Sequence, residues 1–127
     1  MRDRCSVFIV GSDRDILEMM RQIVEDGVGC EAKTEAIGPS SFEHARAYNP
    51  KVVVLDFAPF PYARSHSQGL RLLQQLQTDE ATSSTPVVTC STTEPSLVEA
   101  LHRHNVRCAL LKPFDLEALT QAIRDSL

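Results

Sequence analysis

Short apolar runs alternate with stretches of helical periodicity along the whole chain. Four of these runs are too short for helices and are typical of strands covered on both faces of a sheet: 5–10 (CSVFIV), 52–55 (VVVL), 86–90 (PVVTC) and 108–111 (CALL). A fifth run, 30–37 (CEAKTEAI), is more polar than these four and predicts an exposed edge strand.

Apolar residues recur at helical spacing between these runs. Phe42 and Ala45 mark a weak helix that ends before Pro50. The clearer stripes are Ile16, Leu17, Met20, Ile23 and Val24; Leu70, Leu73 and Leu76; Leu97, Val98 and Leu101; and Leu116, Leu119, Ala122 and Ile123. Five strand–helix units in strict alternation predict an α/β fold, in which helices cover both faces of a parallel sheet through right-handed crossovers.

Polar residues and glycines support these boundaries. Asp15 followed by Glu18 has the form of a capping box at the start of the first helix. Asp115 is placed to cap the last helix. Gly27 and Gly29 are expected to end the first helix.

Length and charge narrow the class of protein. The chain has 127 residues, which predicts one domain over residues 1–127. Thirteen Lys and Arg against seventeen Asp and Glu give a net charge of −4, which argues against direct nucleic-acid binding. Because no apolar stretch approaches the roughly 20 residues that span a bilayer, we expect no membrane contact and a cytoplasmic location.

The four cysteines lie in or beside predicted strands: Cys5, Cys30, Cys90 and Cys108. None of them are close neighbours in sequence, so the spacing of a redox motif or zinc ribbon is absent. We expect small buried thiols in a reducing compartment. A disulfide between adjacent strands is the alternative.

Three side chains with complementary chemistry end predicted strands. Asp56 ends the third strand, Ser91 follows the fourth and Lys112 follows the fifth. Ligands of an open parallel sheet bind beyond the carboxyl ends of its strands, so we expect these side chains to meet at one edge. A carboxylate nucleophile, a hydroxyl and an ammonium group together predict a phosphoryl-accepting site.

The motifs VVVLD, PVVTCST and LLKPF, which contain Asp56, Ser91 and Lys112, resemble those of the receiver domain of two-component response regulators. The resemblance covers essentially the whole chain. It implies a CheY-like, flavodoxin-like doubly wound sheet of five parallel strands in the order 2-1-3-4-5. It also implies that Asp56 is the phosphoacceptor, that Ser91 supplies the switch hydroxyl and that Lys112 contacts the phosphoryl group.

Partners also follow from the resemblance. A histidine kinase or phosphotransfer protein would act on the domain, and an output domain would receive its signal. A homodimer would form through the fourth helix, fifth strand and fifth helix. The basic residues His102, Arg103, His104 and Arg107 form either a partner patch on that face or an ordinary solvated surface.

The sequence departs from the family pattern in three places. Gly11 and Ser12 stand where the family has a magnesium-binding acidic pair, and Asp13 comes one position later. Ala109 stands where the family usually has an aromatic switch residue. Residues 57–68 (FAPFPYARSHSQ) predict a loop longer than the family's usual turn, either a lid over the site or a mobile segment.

These departures weaken the expected cation site. We expect at most weak Mg²⁺ binding, with Asp56 and Asp13 as the candidate metal ligands. Loss of the metal would remove several kcal/mol of transition-state stabilisation. Weak or absent phosphorylation and a direct ion pair between Asp56 and Lys112 are therefore expected.

Other functions fit the sequence less well. A phosphorylation-independent module for dimerisation or docking is the main alternative. A flavodoxin-like enzyme would need a Gly-rich phosphate loop after the first strand, and Gly11-Ser12-Asp13 is too short and too acidic. A phosphatase with an aspartate nucleophile on its first strand is disfavoured because that strand ends in glycine. The chain is therefore predicted to be a signalling module rather than an enzyme.

Overall fold

Continuous apolar runs become the central strands of a parallel sheet in the computed structural model, which describes residues 5–57, 63–91, 95–103, 106–112 and 115–127. The strands are β1 (Ser6–Gly11), β2 (Glu31–Ala36), β3 (Val52–Asp56), β4 (Val87–Ser91) and β5 (Cys108–Leu111). The helices are α1 (Arg14–Gln22), α2 (Ser41–Tyr48), α3 (Ala63–Thr78), α4 (Pro95–Arg103) and α5 (Leu116–Ser126).

All neighbouring strands are parallel, and their order is β2-β1-β3-β4-β5. This confirms the predicted doubly wound, flavodoxin-like sheet. Every residue of β3 and β4 is buried, because helices cover both faces of these central strands. The polar edge strand β2 is partly exposed along its length, as its composition predicts.

Side-chain alternation along the strands builds two separate cores. On one face, Ile9 and Val54 pack with residues of α1 and α5, including Leu17 and Ile123. On the other face, Phe8, Val53 and Leu55 pack with residues of α2, α3 and α4: Ala45, Leu72, Leu73, Leu76 and Leu101. The sheet is thus held between two helical layers, with its carboxyl-terminal edge left open for a site.

The first helix begins and ends differently from the prediction. The N-cap of α1 is Asp13, whose Oδ1 accepts hydrogen bonds from the backbone N–H of Asp15 and of Ile16. The capping box assigned to Asp15 is therefore wrong, because an earlier acid reaches the free N–H groups. At the other end, the helix continues as a π-helical turn, Ile23–Val28, which includes Gly27.

Two other predicted helix ends are confirmed. Gly29 follows the π-helical turn with a φ of 82°, a left-handed conformation that costs glycine little. Asp115 caps α5, because its Oδ1 accepts a hydrogen bond of 2.7 Å from the N–H of Ala118.

Helix α3 starts earlier than its leucine stripe indicates. The prediction of a loop across residues 57–68 is wrong for residues 63–68, which belong to α3. Residues 58–62, the remaining part of the segment predicted as a lid or mobile loop, lie outside the described residues. Gly69 of α3 is buried against the ring of Phe57: a Cβ at Gly69 would lie 2.7 Å from Cε1 of that ring. Glycine therefore allows α3 to approach the end of β3 closely.

A disulfide joins Cys5 to Cys30, with 4.9 Å between their Cα atoms. The expectation of four free thiols is therefore wrong for this pair, whereas Cys90 and Cys108 are free. The parallel pairing of β1 with β2 places the residues before both strands side by side, since Ser6 pairs with Glu31. Sequence spacing alone does not reveal this neighbourhood.

Among the described residues, the structure contains no helix that is both long enough and apolar enough to cross a bilayer.

Candidate functional site

The last residue of β3 forms the centre of the candidate site. Asp56 is 4% exposed, and its backbone pairs with that of Cys90 in β4. The next residue, Phe57, donates its backbone N–H to the carbonyl of Cys90 at 2.9 Å. The apolar strand thus places a carboxylate at the open edge of the sheet and holds it there through the β3–β4 ladder.

Lys112 reaches Asp56 from the end of β5. Its Nζ lies 2.6 Å from Oδ1 of Asp56, which confirms the expected direct ion pair. The same ammonium group donates a hydrogen bond of 3.0 Å to the carbonyl oxygen of Phe57. Lys112 therefore binds the carboxylate and the backbone that follows it at the same time.

Burial and the charge of Lys112 act in opposite directions on the pKa of Asp56. Removal of the carboxylate from water raises its pKa above the usual value, and the neighbouring Lys112 opposes that rise. The more distant carboxylate of Asp13 adds to the rise. The protein therefore bears a cost for keeping a charged carboxylate here, which the ammonium group only partly offsets.

Ser91 is buried at the end of β4, directly after Cys90, whose backbone pairs with that of Asp56. Its carbonyl oxygen accepts a hydrogen bond of 2.7 Å from the backbone N–H of Lys112. Within the described part of the chain, the Ser91 hydroxyl has no hydrogen-bond partner. The structure thus brings Ser91 and Lys112 together through their backbones, and the hydroxyl of Ser91 keeps its capacity to bind another group.

The free thiol of Cys90 offers no second nucleophile at this edge. Burial, together with the nearby charge of Asp56, raises the pKa of Cys90 to about 12. The thiol therefore stays protonated at neutral pH, and only a thiolate is strongly nucleophilic.

The departures at the end of β1 change the surroundings of Asp56. Gly11 is buried against it, and a Cβ at Gly11 would lie 2.9 Å from the Cβ of Asp56. Ser12 is exposed. Asp13 is also exposed, and its carboxylate is engaged in capping α1. The space that an acid would need at Gly11 is therefore occupied by atoms of Asp56 and Leu17.

These donors fit Mg²⁺ poorly. Mg²⁺ takes an octahedral set of oxygen ligands, usually including one or two carboxylates. Asp56 is already paired with an ammonium group, and Asp13 is engaged as a helix cap. Across the described ranges, no group of three or more His, Cys, Asp or Glu side chains is arranged to hold a metal ion.

Two residues that support the site, Phe57 and Gly69, were not predicted from the sequence. Phe57 supplies the carbonyl that binds Lys112, and its ring lies against Gly69. A carbonyl acceptor leaves no signal in the sequence. The glycine inside an otherwise regular helix is a usable signal, because it marks a close approach.

Comparison with known proteins decides the family. The model of the response regulator receiver domain matches residues 7–124. This chain belongs to the response regulator receiver domain family. Domains of this family are typically signalling modules that interact with histidine kinases or phosphotransfer proteins and with output domains. A comparison with curated protein sequences finds no match.

Solved receiver structures share the fold. The chemotaxis protein CheY4 of Vibrio cholerae superposes with a TM-score of 0.81 at 21% identity, covering 98% of this chain and 100% of that one. A response regulator receiver protein from Pseudomonas putida gives 0.75 at 20% identity, covering 98% and 99%. The receiver domain of a signal transduction histidine kinase from Syntrophus aciditrophicus gives 0.82 at 16% identity, covering 97% and 89%. At these identities the likeness concerns the fold.

Proposed function

We propose that this receiver domain uses Asp56 as its phosphoacceptor position and is phosphorylated weakly, because its acceptor carboxylate is neutralised by Lys112 and lacks acidic neighbours that bind a metal. The observation that carries the proposal is the 2.6 Å contact between Lys112 Nζ and the buried Oδ1 of Asp56. It joins the nucleophile that would accept the phosphoryl group to the cation that would contact a phosphoryl oxygen.

The chemistry requires this contact to open. An oxygen of Asp56 would attack the phosphorus of a phosphohistidine in a kinase or phosphotransfer protein. The O–P bond would form as the P–N bond breaks, which leaves an acyl phosphate on Asp56 and returns the nitrogen's electron pair to histidine. Lys112 would move from the carboxylate to a phosphoryl oxygen, where its point charge stabilises the developing negative charge.

The charges of the site explain why the reaction would be slow. The charges of the Asp56 carboxylate and the Lys112 ammonium group cancel, so the site offers no net positive charge to the incoming dianionic phosphoryl group. A bound metal supplies several kcal/mol of charge stabilisation in reactions of this kind, and the donors here suit Mg²⁺ poorly. Burial of Asp56 also limits access to its oxygens.

Ser91 is proposed as the group that senses the phosphoryl oxygen. Its hydroxyl is buried and has no partner among the described residues, and its carbonyl is bonded to the backbone of Lys112. A new hydrogen bond from Ser91 would therefore shift a strand end that already holds the phosphoryl-binding lysine. Ala109 offers no aromatic ring for a coupled rotation, so the output surface would respond by another route.

NMR spectroscopy tests this proposal directly. The ¹⁵N-labelled protein is treated with Mg²⁺ and beryllofluoride, which mimics a phosphoryl group on aspartate, and separately with acetyl phosphate. We expect small or slowly developing shifts at Asp56, Ser91 and Lys112 and no such shifts in the Asp56→Asn variant. Rapid, complete conversion would contradict weak phosphorylation, and shifts that persist in Asp56→Asn would contradict the assignment of the acceptor.

A docking module that works without phosphorylation is the second candidate. It is favoured by the resting ion pair and by exposed apolar positions on β5, where Leu111 is 47% exposed. In that case the domain would dimerise or bind its partner through α4, β5 and α5 irrespective of Asp56. No chemical-shift change at Asp56 in the NMR experiment, together with the same self-association in the wild type and in Asp56→Asn, would favour this candidate.

A further inference from the structure

A cavity of about 260 Å³ lies between α4 and β5, on the side of the sheet away from α5. Most of its wall is apolar. Its lining residues are Ser91, Val98, Leu101, His102, Val106, Arg107, Ala109 and Leu111.

The small side chain of Ala109 is the reason that this space exists. In the parallel pairing of β4 with β5, Thr89 lies beside Ala109 and Ser91 lies beside Leu111, so these four side chains share one face of the sheet. Ala109 and Leu111 are exposed, whereas Cys108 and Leu110 on the other face pack into the core. A methyl group at position 109 fills little of the gap between the strand and α4.

The two ends of the cavity differ in polarity. Ser91 is fully buried, and its hydroxyl has no hydrogen-bond partner in the described ranges. A rotation about its Cα–Cβ bond is enough to redirect this hydroxyl. His102 and Arg107 are exposed at the surface, and no carboxylate belongs to the lining. Across the described ranges, Arg107 forms no ion pair. The inner end thus offers a hydroxyl, and the outer end offers positive charge.

We propose that this cavity binds a small planar aromatic carboxylate. The ring system would occupy the apolar wall formed by Val98, Leu101 and Ala109. The carboxylate would face Arg107 and His102, where charge-assisted hydrogen bonds are available. A polar substituent at the far end of the ring would meet the hydroxyl of Ser91.

The size of the cavity restricts the ligand. Pockets for drug-sized molecules are typically about 300–1,000 Å³, so this one suits a compound of one or two rings. A ligand of this kind would also touch the residue whose carbonyl holds the backbone of Lys112. Its binding would therefore change the surroundings of Lys112 at the phosphoacceptor site, although the proposal does not depend on phosphorylation.

The test compound is 6-hydroxy-2-naphthoate, titrated into the full ¹⁵N-labelled chain, with 2-naphthol as the analogue that lacks the carboxylate. We expect amide shifts centred on Ser91, Leu101 and Ala109 and an affinity for the carboxylate at least about tenfold higher than for the naphthol. Equal affinity of the two compounds, shifts centred elsewhere or no shifts would overturn the proposal.

Variants separate the contributions of shape and charge. Ala109→Phe fills the cavity and should weaken binding of both compounds at least about tenfold. Arg107→Gln should weaken the carboxylate alone, whereas Arg14→Gln, a matched change at an exposed arginine of α1, should weaken neither. Unchanged binding in a folded Ala109→Phe protein would overturn the proposal, as would equal effects of the two arginine changes.

Two further measurements keep the test decisive. If Ala109→Phe fails to fold, as judged by thermal unfolding, Leu111→Trp narrows the cavity from an exposed position and should weaken binding in the same way. If a second copy of the chain fills the cavity instead, raising the protein concentration will produce dimers and weaken binding of the test compound. That outcome would also overturn the proposal.

Discussion

Lys112 and Asp56 form a contact of 2.6 Å between side chains of unequal exposure: 22% for the lysine and 2% for the aspartate. The lysine can therefore gain water if the contact breaks, whereas the aspartate cannot. This asymmetry predicts that the two partners contribute differently to stability.

Removal of the lysine should cost much more than removal of the acid. Lys112→Met leaves a buried carboxylate without its counter-charge, and we expect the free energy of unfolding to fall by about 3 kcal/mol. Asp56→Asn removes the desolvated charge and should change it by less than about 1 kcal/mol. Urea unfolding at neutral pH measures both, and the double variant should recover most of the loss. Equal losses in the two single variants would contradict this account.

The pH dependence follows from the raised pKa of Asp56. Because the folded protein binds this proton more tightly than the unfolded chain, the charged carboxylate lowers stability at neutral pH. That burden disappears as the pH falls through the raised pKa towards the unfolded value of about 3.9. Asp56→Asn should therefore exceed the wild type in stability at pH 7, and the difference should close on acidification. A difference that widens at low pH would show that the carboxylate is stabilising.

An added acid at position 12 should strengthen cation binding. Ser12 is exposed, so Ser12→Asp can place a carboxylate at this edge of the sheet without displacing buried atoms. We expect its Mg²⁺ affinity, measured by NMR titration, to rise at least about tenfold over the wild type, equivalent to about 1.4 kcal/mol. The neutral Ser12→Asn variant is the matched control and should show no gain. Millimolar or tighter binding by the wild type would contradict our account of the site.

A side chain at Gly11 should be poorly tolerated. The Cβ of Gly11→Ala would meet the Cβ of Asp56 at 2.9 Å and the Cδ2 of Leu17 at 3.2 Å. We expect a loss of about 1–3 kcal/mol in the free energy of unfolding, as for overpacking elsewhere. Gly38→Ala provides a comparison, because the nearest atom to its new Cβ is 4.0 Å away. Equal stability of the two variants would show that β1 and β3 separate easily.

The disulfide should contribute measurably to stability. Cys5 and Cys30 are 25 residues apart, and closing a loop of that length in the unfolded chain is worth about 3.5 kcal/mol. Dithiothreitol should lower the free energy of unfolding by this amount in the wild type and leave a Cys5→Ser/Cys30→Ser variant unchanged. Titration of four free thiols in the unreduced, denatured protein would rule the bond out.

The sheet was predictable because its signals are local and repeated. The runs that form β3 and β4 are mostly apolar, with VVVL before Asp56 and VVTC before Ser91, which is typical of strands covered on both faces. Strand ends then bring Asp56 and Lys112 to one edge, since parallel strands share their direction. The ion pair between Asp56 and Lys112 could therefore be predicted once both residues were placed at the same edge of the sheet.

The missed features depend on contacts between distant residues or on competition between neighbours. Asp13 and Asp15 are both acceptable capping residues, and only the backbone geometry decides which one reaches the free N–H groups. The disulfide depends on the pairing of β1 with β2. The early start of α3 was obscured by the polar residues of its first turns, which carry no apolar stripe.

The close packing of Gly69 on Phe57 affects how such a domain can be recombined. Chimeras that exchange helices between receivers are a natural way to ask which surface selects a partner. A junction between positions 57 and 69 would bring in a third helix whose residue at the contact is not matched to this ring. Crossovers placed before Val52 or after Thr78 would keep Phe57 and Gly69 together from the same parent protein.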